Sequence, residues 1–406
     1  MTPPQESGGA SERIFNPDYI KLWFGLLFFM LNMSAFNLLP YHLELRGASP
    51  DLYGSVAGSM GLSSFVFLFL LGHKADSWSR KTTFSAYFTF ALAGNLLTLW
   101  AMSQPNLNWY YPPRLLQGVF MGVGFPIIFS WTMEVSPPSL KHVVLAWFGI
   151  AGILANSLGP TLGELLLSLQ PDPNDPDAYF WVFLMATAFQ LTSLVFFLST
   201  RDVKPETQKA GSGGGLLPLL RKPESALTLF VALSFGGIFG VLMSFSKNYV
   251  SSLDLPFVSV LLWSYTAGAI FSRVFIQVIS KRVPHSQMAS LGLTGLGCSF
   301  LLLGMAESYL LLGAMGFLYG LSHGILYPTL YVQFVNFQRA GEMGRAATLF
   351  QGSFSVGWGL LPMLGGSVIR LAGFPTLFSL LGALAGLGIV INLNADYFGR
   401  MRKEGS

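Results

Sequence analysis

Polar and apolar positions fall in long blocks along this chain. Twelve apolar runs lie at roughly 19–42, 51–72, 82–103, 110–133, 143–168, 179–199, 225–249, 257–279, 287–306, 309–335, 346–369 and 375–395. Each is long enough to cross a hydrocarbon core of ~30 Å as a helix. In lipid every backbone N–H and C=O needs an internal partner, so a spanning run is either a helix or a strand of a closed barrel. Runs such as Phe65 to Leu71 lack the polar–apolar alternation of barrel strands. The pattern therefore predicts an all-α polytopic membrane protein with twelve transmembrane helices.

Charge tests that count. With both termini on the cytoplasmic side, 18 of the 23 Lys and Arg fall in inside segments, among them Lys74, Arg80, Lys81, Lys141, Arg201 and Lys281. Arg46 and Arg370 fall outside, and Arg114, Lys247 and Arg273 fall within runs. An excess of cations on the cytoplasmic loops is what orients membrane helices. An error of one span would scramble the asymmetry.

The composition agrees. The 406 residues are 52% hydrophobic and only 10% charged, against about 25% charged in soluble domains. The net charge of +4 is absorbed by the orientation of the loops and calls for no nucleic acid. A single cysteine, Cys298, excludes an intrachain disulfide. Residues 1–17 are polar and lack the apolar core of a signal peptide. They read as a cytoplasmic disordered tail. Residues 201–223 are charged and then Gly-rich, as in a flexible cytoplasmic linker. The linker divides the chain into halves at 18–200 and 224–396, with a short cytoplasmic tail at 397–406.

The halves share landmarks. Gly118, Gly122 and Pro126 recur as Gly320, Gly324 and Pro328, and Pro160 and Gly163 recur as Pro362 and Gly365, all shifted by 202 positions. One shift in consecutive elements points to an internal repeat of six spans, an architecture used by transporters.

Between the second and third runs lies a charged loop containing Gly72, Lys74, Ala75, Asp76, Arg80 and Lys81. With twelve spans and a central linker, it resembles the major facilitator superfamily, whose signature there is similar to Gly-x-Leu-Ala-Asp-x-x-Gly-Arg-Lys. Lys74 and Ser79 depart from it. The resemblance covers essentially residues 18–396 and implies the major facilitator fold of two pseudo-symmetric six-helix halves. Arg114, Gln117, Gly118 and Gly122 resemble the Arg-x-x-Gln-Gly motif of the proton-linked drug-efflux branch. Gly159, Pro160 and Gly163 resemble its antiporter motif and its hinge, although Glu164 stands where a second Gly is expected. The family implies a cytoplasmic gate: Asp76 at the start of the eleventh span, and Arg80 paired with an acid at the end of the fourth, here Glu134, with Gly72 and Lys81 flanking.

Charged groups inside spans usually face a cavity or a partner. Arg114, Gln117 and Met121 share one helix face, as do Tyr319, His323 and Tyr327. With Asn32, Asn37 and Lys247 they are the candidate cavity residues. Arg114, Glu164 and His323 are the proton-coupling candidates. Snorkelling of Arg114, pairing of Glu164 with Arg114 or Lys247, and ordinary core packing of His323 are the competing readings. Fixed cations outnumber anions in these spans, which hints at an anionic substrate.

There is no nucleotide-binding loop, no zinc-ligand cluster and no catalytic constellation. The sequence therefore predicts a cofactor-free, non-enzymatic secondary transporter of the bacterial inner membrane, monomeric and surrounded by lipid. The leading expectation is proton-coupled export of a small amphipathic or anionic organic molecule by alternating access. Proton symport or facilitated uptake of a metabolite is the alternative. A membrane sensor or assembly protein with the same fold is the alternative of another class.

Overall fold

The computed structural model describes residues 16–72, 78–137, 141–204, 216–279, 282–339 and 342–404. They form helices α1 (Pro17–Ala35), α2 (Leu39–Leu45), α3 (Pro50–Leu71), α4 (Arg80–Met102), α5 (Tyr111–Glu134), α6 (Lys141–Ser168), α7 (Tyr179–Ser199), α8 (Leu217–Leu220), α9 (Pro223–Ser252), α10 (Ser259–Ile279), α11 (His285–Leu303), α12 (Tyr309–Asn336) and α13 (Met343–Glu404). Among the described residues, eleven stretches of helix are long and apolar enough to cross a membrane. The last holds two crossings, because Gly373 leaves helical geometry at φ 78 and ψ 176. A side chain is strained at such a φ, and glycine is not. The last helix runs on to Glu404, past its expected end at 395. Leu70, Val195, Val274, Leu291 and Leu371 are exposed, as a lipid-facing girdle requires.

Local chemistry sets the helix starts. Asn16 caps α1 by accepting from the Tyr19 amide at 2.9 Å, and Pro17 fills the first turn. Ser79 and Ser308 cap α4 and α12 in the same way. The first crossing is interrupted by a 3₁₀ turn at Phe36–Leu38, two residues before Pro40. Pro160 and Pro362 lie inside α6 and α13. A proline cannot bond the carbonyl four residues back, so Asn156 and Trp358 lose that helical partner.

Glycines bring the helices together. A methyl group at Gly118 of α5 would collide with the Met60 carbonyl of α3, and one at Gly320 of α12 with the Tyr265 carbonyl of α10. The α5–α3 and α12–α10 contacts are thus built alike. Between the halves, Gly58 and Gly61 of α3 lie against Gly359 of α13, and α6 runs along α10, where Ser157 Oγ bonds Thr266 at 2.6 Å. The helix order puts both described ends of the chain on one side, the termini face. The connections α2–α3, α4–α5, α6–α7, α9–α10 and α11–α12 lie on the far face.

Candidate functional site

A cavity of about 80 Å³ lies between the halves. Its wall comes from Met30, Met33, Ser34, Phe36, Asn37, Leu39 and Pro40 of the broken first crossing. Ala57 and Met60 of α3, Arg114 and Met121 of α5, Asn156 of α6, Ser244 of α9 and Trp358 of α13 complete it. The space suits a few waters and is smaller than the ~300 Å³ or more that a drug-sized ligand needs. Among the described residues, Arg114 is the one charged group in the wall.

Arg114 is held from behind. Its Nη1 donates to Gln117 Oε1 at 2.6 Å, Gln117 Nε2 donates to Asn95 Oδ1 at 2.9 Å, and Asn95 Nδ2 donates to Asn32 Oδ1 at 2.7 Å. Gln117, Asn95 and Asn32 are fully buried. The relay crosses α5, α4 and α1 and fixes the guanidinium against the face of the Phe36 ring, 5.8 Å away. Gly94 permits it, since a methyl there would meet Gln117 Cγ at 2.9 Å.

Three carboxylates of the first half close the far face. Glu164 Oε1 accepts from Lys247 Nζ at 3.0 Å and from the Val258 amide at 2.8 Å, and Oε2 accepts from the Ser259 amide at 3.1 Å. The last two amides open α10, so Glu164 caps a helix of the other half. Lys247 also donates to the Pro256 carbonyl. Glu44 accepts from Asn248 at 2.5 Å. Asp51 pairs with Arg370 and accepts from Ser367 at 2.6 Å.

The family model described as Major Facilitator Superfamily matches residues 22–351 and 264–405. The chain belongs to the Major Facilitator Superfamily. It is 25% identical over 328 residues to the "Multi-drug resistance efflux pump PmrA homolog" of Lactococcus lactis, covering 76% of this chain and 77% of that protein. It is also 25% identical over 189 residues to "Multidrug resistance protein 3" of Bacillus subtilis, covering 46% of this chain and 34% of that protein. The chain thus spans about a third of the length of the latter relative. The solved nucleoside transporter NupG shares the fold at a TM-score of 0.74 and 14% identity, covering 94% of this chain and 99% of that one. The human organic anion transporter MFSD10 does so at 0.64 and 17%, covering 93% and 100%. The superfamily is one of membrane transporters, and this chain is a multi-pass member without enzyme chemistry.

In this superfamily chain the expected cavity and coupling residues separate into four places. Asn37, Arg114 and Met121 line the cavity. Asn32 and Gln117 lie outside the wall, where they anchor Arg114 through the relay. Lys247 and Glu164 lie at the far-face seal, because the chain leaving α9 turns back over them into α10. Tyr319, His323 and Tyr327 lie outside the wall in an aromatic pack: His323 stacks on Phe239 at 4.5 Å and shares a 3.1 Å hydrogen bond with Tyr265. Tyr327 donates to Gln351 at 3.2 Å. Gly159 admits Ser34, whose hydroxyl donates to the Ala155 carbonyl at 2.6 Å, and Gly163 lies against Leu38 and Val182 around Pro160.

At the termini face, Arg80 clasps Glu134 through Nε at 2.9 Å and Nη2 at 2.5 Å. Lys81 bonds the Leu198 carbonyl and, through its amide, Asp202. Gly72 closes α3 in helical geometry. Asp76 lies outside the described residues. Asn95, Asn156, Ser244 and the thioethers of Met30 and Met33 escape the sequence reading. A lone amide in the uncharged run 82–100 is the signal that could have found Asn95.

Proposed function

We propose that this chain is a secondary transporter that exports a small amphipathic or anionic organic molecule in exchange for protons. The observation that carries the proposal is Glu164, a buried carboxylate of one half held by Lys247 and the start of α10 in the other, over a central cavity. All three of its partners are donors. They suit a carboxylate, and a proton on Oε2 would compete with the Ser259 amide. The closed far face thus holds Glu164 as a carboxylate, and in the proposed exchange the proton rides on Glu164 only while that face is open. A proton taken up from the far side and lost on closure drives substrate the other way. The efflux-pump relatives favour the same direction, and the cation-rich loops favour a cytoplasmic termini face in a bacterial inner membrane.

The test uses everted vesicles carrying an inside-acid pH gradient, with radiolabelled 2-naphthalenesulfonate, chloramphenicol and ethidium as anionic, neutral and cationic probes. Accumulation of at least one probe, abolished by collapsing the gradient and absent in E164Q, is expected. Accumulation that ignores the collapse, or that E164Q retains in full, overturns proton exchange. No accumulation of any probe overturns export.

A further inference from the structure

The cation in the cavity wall is incomplete. Arg114 is 6% exposed, and among the described residues it forms no ion pair. Its Nε is buried with no acceptor. Gln117 engages only Nη1, so the Nε–Nη2 edge of the fork has no partner among the described residues. That edge is the one on which a carboxylate docks side-on with two parallel hydrogen bonds. A guanidinium in a spanning helix is costly, and this one sits in the first turn of α5, where the helix dipole already opposes a positive charge. A structural arginine would be paired or would reach the interface. This one is held inward by three buried amides in series.

The remainder of the wall says what is attached to the anion. Met30, Met33, Met60 and Met121 share the cavity with Phe36 and Trp358. Thioether chains are flexible and polarizable, adapt to irregular apolar bodies and contact aromatic rings favourably. They are also the part of the wall that can swing aside to admit a larger body. One cation without a wall carboxylate selects a single negative charge.

From this we infer that the cavity is the seat of an aryl monocarboxylate: the carboxylate docks on the Nε–Nη2 edge of Arg114, its flat apolar body lies among the four methionines, and Asn32, Asn95 and Gln117 are positioning residues that hold the fork. The inference rests on the export reading for its place in transport, but binding to the seat needs neither a gradient nor a direction.

The experiment measures binding to the purified full chain in detergent at pH 7 with three probes of one shape: 1-naphthoate, 1-naphthamide and 1-naphthylmethylammonium. Naphthoate is expected to bind about 10-fold or more tighter than the amide, as a charge-assisted pair requires, and the ammonium weakest. R114Q is expected to erase the preference of naphthoate over the amide. N95L is expected to weaken naphthoate several-fold more than the amide, a split that a merely structural role would not give. Equal binding of acid and amide, preference for the ammonium, or no binding of naphthoate each overturns the seat. The probe series on the parent protein decides even where R114Q does not fold. A seat that binds naphthoate while vesicles show no gradient-driven accumulation sinks the export reading alone.

Discussion

Helices α5 and α12 stand in the two halves with one backbone design and opposite chemistry. Gly118, Gly122 and Pro126 of α5 match Gly320, Gly324 and Pro328 of α12, and the glycines press each helix onto a partner, α3 or α10. At the same shift of 202 positions, Arg114, Gln117 and Met121 correspond to Gly316, Tyr319 and His323. Where the first half places a guanidinium, the second has a glycine that lets α12 touch the Leu261 backbone. Where the first has the amide of the relay, the second has a tyrosine in an aromatic pack. Helix packing is thus conserved between the halves, and only one of them carries the charge. The far face repeats the lesson: the first half supplies the acids Glu44, Asp51 and Glu164, and the second supplies Asn248, Arg370, Ser367 and Lys247.

The largest effect tests the division of charge at the far face. E164Q leaves Lys247 buried without its counter-charge, and breaking one side of such a pair costs ~3–5 kcal/mol. Thermal unfolding in detergent is expected to show a large drop for E164Q and a smaller one for E164Q/K247M. A double variant no better than the single one would deny the pairing.

Next comes the sameness of the packing. G118V and G320V each drive a side chain into a facing carbonyl, which costs ~1–3 kcal/mol. The two losses are expected to match within about 1 kcal/mol. A loss confined to one half would break the structural equivalence.

A smaller effect tests the chemical difference. H323F keeps the stack on Phe239 and gives up one hydrogen bond to Tyr265, worth about 1 kcal/mol. It is expected to leave gradient-driven accumulation within about three-fold of the parent. Loss of the gradient response in H323F would make the second half a proton carrier and end the contrast.

The smallest effect lies in the second half at the termini face. The hydrogen bond from Lys222, with that from the Arg339 amide, holds the Glu342 carboxyl below its usual value of 4.5. A depressed carboxylate stabilises above its unfolded value and loses that contribution as pH falls through the folded one. E342Q is therefore expected to lower stability at pH 7 by less than about 1 kcal/mol, with the gap to the parent closing as pH is taken below the usual carboxylate value. A gap that persists in acid would assign the effect to packing.

Much of the fold is legible in the sequence because lipid leaves few options: long uncharged runs become helices, and cations sort to one side. The Arg80–Glu134 clasp and the place of Arg114 in the cavity wall follow from residue spacing and the family resemblance. Contacts between distant segments do not. The sequence leaves Glu164 open to water, to Arg114 or to Lys247, and only the turn from α9 into α10 decides for Lys247. His323 with its neighbouring tyrosines has a spacing that fits a cavity face and a packed face equally, and stacking on Phe239 decides for the second. Met30 and Met33 resemble any other apolar residues until the helices are assembled.

Pro160 and Pro362 each stand four residues after a cavity-wall residue, Asn156 or Trp358. A column yields where a strut is missing, and these columns are the two long helices that run between the halves, α6 against α10 and α13 against α3. Their most compliant points are therefore at the cavity wall. A molecule wedged against Trp358 or Asn156 loads the joints directly and needs no separate linkage to the moving parts.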